Sequence, residues 1–209
     1  MAVDRDGSEG GSGVREFVTP GSNVLVLAPV MDSGVGAVCT NLLRVEPVAD
    51  EAVLLVTFTQ SADVRVDDFR ERVDSPPGDL HVVDVSGETR SGADGPSHVP
   101  GRVVDVVSSP TDLTGLGIAM NEQLAEWARD DARIVVCVHT LTTLLQYASE
   151  ERVFQFLHVL TNRIRSVDAV AHYHLDPAAV GDRTVHTLLQ LFDVIVRRDD
   201  EGWKIGARG

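Results

Sequence analysis

The chain predicts an α/β fold: a mostly parallel five-stranded sheet with helices on both faces and an antiparallel C-terminal hairpin. Three observations carry this. Short runs of Val, Leu and Ile are apolar throughout and do not alternate, as strands do when both faces are covered. Stretches with apolar residues at helical spacing lie between them. Finally, Asp193–Arg198 and Trp203–Ala207 flank a polar Asp199–Gly202 turn, the pattern of a closing hairpin.

The elements follow in order. Residues 1–14 (MAVDRDGSEGGSGV) are an acidic Gly/Ser tail with no face to bury, so disorder is expected there and residues 15–209 are read as a single domain. Val24–Ala28 is a strand followed by a helix over Gly36–Arg44. Ala52–Phe58 is a second strand, with a helical stretch over Val64–Val73, and Leu80–Val85 is the third. Residues 86–101 (SGETRSGADGPSHVPG) are a turn-forming insertion, expected to be a flexible loop, with a short strand at Arg102–Val107. Leu113, Leu116, Met120, Leu124 and Trp127 recur at helical spacing behind Thr111 and Asp112, which predicts a helix to about Arg129. Arg133–Val138 is the fourth strand. Ser149 reads as an N-cap, with Glu150 and Glu151 at the positive helix end and Arg163 and Arg165 at the negative one. Between them Val153, Phe156, Leu157, Leu160 and Ile164 draw one apolar stripe. Asp168–Leu175 is the fifth strand, and Asp176-Pro177 opens a helix toward Leu191.

Composition narrows the function classes. Formal net charge is −14, from 32 acidic against 18 basic residues, and Lys204 is the only lysine. Such a surface disfavours nucleic acid, whose binding depends on cations replacing counterions around phosphates. Rich Asp with almost no Lys is the proteome style of salt-loving archaea, where salt screens self-repulsion. No apolar run reaches the ~20 residues of a membrane span and no basic-then-apolar segment opens the chain, so a cytoplasmic location without membrane contact is expected. Cys39 and Cys137 form no sequence motif and read as buried small apolar residues.

The strand–turn–helix at 21–43 (GSNVLVLAPVMDSGVGAVCTNLL) stands where a P-loop enzyme carries G-x-x-x-x-G-K-[ST], whose lysine reaches the β/γ-phosphates. Counted from Ala28, the Gly, Lys and Ser/Thr positions hold Ser33, Gly34 and Val35; one step on, Val35 and Gly36 take the Lys and hydroxyl positions. Neither register works, and Asp32 adds an anion to the loop. On this reading no cation and no metal-holding acid faces the place of a triphosphate.

With VLLVTFTQS at 53–61, RIVVCVHTLTTLLQY at 133–147 and LFDVIVRR at 191–198, this segment resembles the RecA/KaiC-like ATPase domain in order and spacing, over about residues 20–207. More narrowly, the chain is similar to small haloarchaeal proteins of unknown function related to the KaiC/RadA group. The resemblance implies a RecA-like sheet of order 5-1-4-3-2. It also implies acidic residues after the second strand, where Thr59 and Gln60 stand, and a Mg²⁺-holding Asp after the fourth, where His139 and Thr140 stand. Gln60 is able to orient a water but not to act as a carboxylate base, and a neutral imidazole suits Mg²⁺ poorly.

The candidate sites are therefore two. Asp32, Ser33, Gly34, Val35, Gly36, Gln60, His139 and Thr140 are the degenerate nucleotide-site positions, with backbone N–H groups at a helix start that favour anions. His139, His172, His174 and Asp176 form a rival metal set: His172 and His174 share one strand face, and imidazoles with a carboxylate suit a transition ion. The implied strand order separates His139 from the other two by ~10 Å, two strand spacings. A Ser33 nucleophile lacks the Gly-x-Ser-x-Gly elbow. The expected function is a catalytically inactive pseudo-ATPase with degenerate Walker motifs and no cofactor. It would serve as a regulatory, signalling or scaffolding module with a protein partner or self-association. The alternatives are a nucleotide or anion receptor that binds without hydrolysis and, third, a His-based hydrolase or metal site.

Overall fold

The computed structural model describes residues 5–7, 13–29, 31–43, 51–73, 77–85 and 103–207. The predicted loop at 86–101 and most of the predicted tail lie outside them. Among the described residues nine strands form one sheet: β1 (Arg5–Gly7), β2 (Asn23–Leu27), β3 (Glu51–Thr57), β4 (Asp79–Asp84), β5 (Val103–Val106), β6 (Arg133–His139), β7 (Val170–Leu175), β8 (Val194–Asp199) and β9 (Gly202–Ala207). Their spatial order is β1-β9-β8-β2-β7-β6-β3-β4-β5. From β8 to β5 all neighbours run parallel, and the antiparallel pairs are β8–β9 and β1–β9.

Two expectations are corrected here. Arg5–Gly7, assigned to the disordered tail, adds a strand along β9. The implied order 5-1-4-3-2 is replaced by 1-5-4-2-3: the fifth predicted strand (β7) lies between the first (β2) and the fourth (β6), and the second (β3) lies between the fourth and the third (β4). Five similar apolar strands fit several orders equally well by pattern, and the choice rests on side-chain packing between layers.

Strand residues point alternately to the two faces. Leu25, Leu27, Leu54, Val56, Val136, Val138, Ala171, Tyr173 and Leu175 meet the helices α3 (Leu113–Arg129), α4 (Leu141–Tyr147), α5 (Glu150–Ser166) and α7 (Asp182–Leu189) in one continuous core. The opposite face is covered by α1 (Val35–Leu43), α2 (Ala62–Arg70) and a 3-10 turn at Val14–Phe17. Here the apolar packing is divided. Val53, Leu55, Val82, Val135 and Cys137 pack with α2 and Cys39 in one cluster. Val24, Val26, Val194, Val196, Trp203 and Ile205 pack with Val38 and Leu42 in another. The seam between the two clusters is polar, and the candidate site is built there.

Local chemistry accounts for the helix ends. Asp112 accepts from the Gly115 N–H at the start of α3, as expected, and Thr140 caps α4 through the Thr142 N–H. The sequence reading missed α4: seven residues with two Thr give a weak helical pattern. Ser149 occupies the N-cap of α5 as predicted, without a side-chain cap bond. The predicted helix from Asp176 toward Leu191 is split into α6 (Pro177–Val180) and α7 by Gly181, whose φ of +80° leaves the helical region.

Asn23 is a polar group in a fully buried strand, and its bonds are complete. Its Nδ2 donates to the Thr161 and Gly21 carbonyls, its Oδ1 accepts from the Tyr173 hydroxyl at 3.0 Å, and its N–H donates to Asp193. Asp193 in turn holds Arg165 of α5 at 3.0 Å. This network ties β2, β7 and α5 to the start of β8. Tyr173→Phe should therefore destabilise by about 1–3 kcal/mol, since it leaves a buried acceptor unsatisfied; urea unfolding measures it. Among the described residues no helix is long and apolar enough to cross a membrane.

Candidate functional site

The carboxyl ends of the central strands open onto a cavity of about 690 Å³ between the start of α1 and α2. Of the residues the sequence nominated, Asp32, Ser33, Val35, Gly36, Gln60, His139 and His174 line it. Gly34 and Thr140 do not. Gly34 sits in the turn against Trp203, where a Cβ would come within 3.1 Å of the indole Nε1. Thr140 is spent on the α4 cap.

The charge balance of this cavity differs from the expectation. Arg65 and Arg72, from and just beyond α2, both line it. Gly36 admits the Arg72 guanidinium to the first turn of α1, because a Cβ at position 36 would stand 3.2 Å from Nε. Asp32 does not project a free anion into the loop. One carboxylate oxygen accepts from the Gly34 N–H at 2.7 Å and the other pairs with Arg198 Nε at 3.1 Å. Asp68 accepts from Gln60 Nε2 at 3.2 Å. The cations come from a helix remote in sequence from the loop, and loop spacing alone carried no sign of them.

Beneath the cavity lies the polar seam. Cys137 of β6 is the register partner of His172 on β7, and His174 follows on the same face. Cys39 of α1 reaches down onto them, with its Sγ 3.7 Å from Cys137 Sγ and 3.2 Å from His172 Nε2. Both cysteines are free and buried. The Arg65 guanidinium, 3% exposed, donates from its terminal nitrogen to Cys137 Sγ at 3.0 Å and Cys39 Sγ at 3.6 Å. Burial opposes its charge, but the two sulfurs hold its pKa above the ordinary value. The hydrogen bond with Cys137 lowers the Cys39 pKa, while burial raises that of Cys137. Of the two thiols, Cys39 is therefore the one whose ionisation its surroundings favour, with the Arg65 guanidinium beside it.

Two sequence expectations change accordingly. The cysteines are buried, but they meet each other and the histidines rather than serving as separate apolar residues. The rival set loses Asp176, whose carboxylate caps α6 through the Ala178 N–H at 2.9 Å. His139 is closer than the implied order allowed, its ring centroid 5.0 Å from that of His174, because β6 and β7 are neighbours. Burial first, then the neighbouring His174, pushes the His139 pKa down to about 3. Burial likewise lowers that of His174. Burial thus disfavours the protonated form of both rings.

One signal of this cluster was present in the sequence: two histidines interrupt a strand of otherwise apolar or aromatic residues. Nothing local, however, tied them to Cys39, 133 residues earlier.

Comparison with solved structures shows the fold is shared. A protein from Pyrococcus horikoshii OT3, PH0250, matches with a TM-score of 0.57 at 11% identity, over 92% of this chain and 89% of that one. The uncharacterized protein PH0321 from Pyrococcus horikoshii, solved in complex with an unknown peptide, matches with a TM-score of 0.61 at 13% identity, over 90% and 83%. No curated protein matches. A family model does match, over residues 21–197 and hence from β2 into β8, and the chain belongs to that family of unknown function, DUF7504.

Proposed function

We propose that this protein is a regulatory receptor module of RecA/KaiC-like ancestry that binds a small anionic ligand, a nucleotide or another phosphate-bearing molecule, without turning it over. The observation that carries this is the pair of guanidiniums, Arg65 and Arg72, on a cavity of about 690 Å³ at the start of α1. That size lies in the usual range for small-molecule sites, and guanidiniums with helix N–H groups are the chemistry that recognises phosphate. By the RecA/KaiC-like resemblance, Thr59 and Gln60 take the place of the carboxylates that would polarise an attacking water, and His139 that of the Asp that would hold Mg²⁺. Phosphoryl transfer depends on such placed charges for most of its rate. A partner protein or second copy would read the liganded state.

Titration with a fluorescent ATP analogue in molar KCl is the direct test. A Kd of about 1–100 μM is expected, roughly 5–8 kcal/mol, with pyrophosphate competing. Arg72→Gln should weaken binding about tenfold or more by removing a charge-assisted contact. The unfolding midpoint should stay unchanged, since Arg72 is exposed. No binding at ~1 mM ligand would remove the receptor reading, and sustained ATP hydrolysis by pure protein would remove its inactive half.

A further inference from the structure

We propose that Cys39, Cys137, His172 and His174 form a four-ligand site for a divalent transition ion, zinc being the best match. The inference goes beyond the receptor reading and stands without it. One ligand atom from each of the four residues falls within a group whose members all lie within 4.8 Å of one another. The sulfur pair is the most telling distance. Two thiolates on one tetrahedral zinc, each with Zn–S of ~2.3 Å, stand ~3.8 Å apart; Cys39 and Cys137 stand at 3.7 Å. The Cys39 Sγ to His172 Nε2 distance of 3.2 Å is slightly tighter than the ~3.6 Å of such a site.

The unpaired nitrogens give a second, independent observation. Both ring nitrogens of His174, which is 5% exposed, and Nδ1 of the fully buried His172 have no hydrogen-bond partner among the described residues. A buried polar atom without a partner costs ~1–3 kcal/mol, and native interiors hold few of them. Three such atoms in two adjacent side chains beside a sulfur pair mark a place built to hold something. An ion bound by one nitrogen of His174, Nε2 of His172 and both sulfurs would relieve part of that cost.

The surroundings fit the same chemistry. Two thiolates cancel the charge of a divalent ion, so the ion and its four ligands are neutral together and the Arg65 guanidinium is the charge left beside them. Arg65 then supplies N–H donors to the ligand sulfurs, the outer-shell role that orients metal ligands. Thiolate with imidazole selects zinc and other borderline or soft ions over Mg²⁺ or Ca²⁺. Four protein ligands leave no open coordination position, so the ion is structural. It would fasten α1 to β6 and β7 where the apolar packing of that face is interrupted, and form the floor of the anion cavity. A Cys39–Cys137 disulfide would close the sulfurs to ~2.05 Å and leave the histidines unsatisfied.

The experiment uses the full chain without a His-tag. Metal analysis after purification without chelator should find about one zinc per chain. Protein stripped by a chelator and titrated with Co²⁺ should saturate at one equivalent. It should show thiolate-to-cobalt charge-transfer bands and intense visible tetrahedral bands, both bleached by Zn²⁺. His174→Gln, close in size to the native residue, should keep its far-ultraviolet circular dichroism yet bind Co²⁺ more than about 100-fold more weakly, since loss of an outer-shell partner alone costs 10–100-fold. The proposal is overturned if the stripped wild-type protein gives no thiolate band with Co²⁺. It is equally overturned if His174→Gln binds Co²⁺ like the wild type, or if mass spectrometry of purified protein finds a Cys39–Cys137 disulfide. ATP-analogue binding is scored separately, so failure here leaves the receptor reading intact, and the reverse.

Discussion

Leu157→Ala is expected to destabilise the protein by about 3–5 kcal/mol, a large part of the 5–15 kcal/mol that holds a typical domain together. Leu157 sits at the centre of α5 with no exposed surface and belongs to the core that joins the helices to β2, β7 and β6. The cost has two parts: lost transfer free energy and the cavity that close-packed neighbours do not refill. Thermal unfolding should fall by roughly 6–20 °C at the 2–4 °C per kcal/mol typical of this size. Val159→Ala, on the same helix but 68% exposed, should stay within about 0.5 kcal/mol of the wild type. Equal effects of the two would mean that α5 does not seat its predicted stripe on the sheet.

Removing both sulfurs is the second large effect. Cys39→Ala/Cys137→Ala leaves the Arg65 guanidinium buried without its two acceptors, and stranding one partner of a buried charged pair costs about 3–5 kcal/mol. The control is a third change, Arg65→Met, which replaces the cation by an apolar chain of similar length. If charge is the cause, the triple variant recovers most of the lost stability, as apolar replacements of whole buried pairs do. Neither variant retains the sulfur ligands, so any contribution of a bound ion cancels between them. Denaturant unfolding gives the comparison, and a triple variant no more stable than the double would assign the loss to packing instead.

Most elements were legible because their physics is local. The α3 span matches the expectation from Leu113 to Arg129, since the stripe and its Asp112 cap lie within one stretch of chain. Strands β2, β3, β4, β6 and β7 fall within about two residues of their predicted bounds, because continuous Val/Leu runs of that length have few other uses. The errors occur where a single residue or a weak pattern decides. Gly181 breaks a helix that periodicity alone carries through, and α4 is too short to impose a period.

The candidate site was legible only in halves. Asp32–Gly36, Gln60 and His139 do share one cavity, as expected of residues at the carboxyl ends of parallel strands. Arg65 and Arg72 were invisible as partners of that loop, and the acid read as repulsive is neutralised by Arg198, 166 residues away.

What the sequence by itself determined was therefore the class of fold, the two-sided burial of the sheet and the acidic surface, all set by composition and by periods of two and 3.6 residues. Only the tertiary structure decided that β7 lies between β2 and β6, and hence that Cys39, Cys137, His172 and His174 converge. Strand order is a global choice among arrangements with the same local pattern. Contacts that depend on it arise from packing whole layers together, which no window along the chain contains.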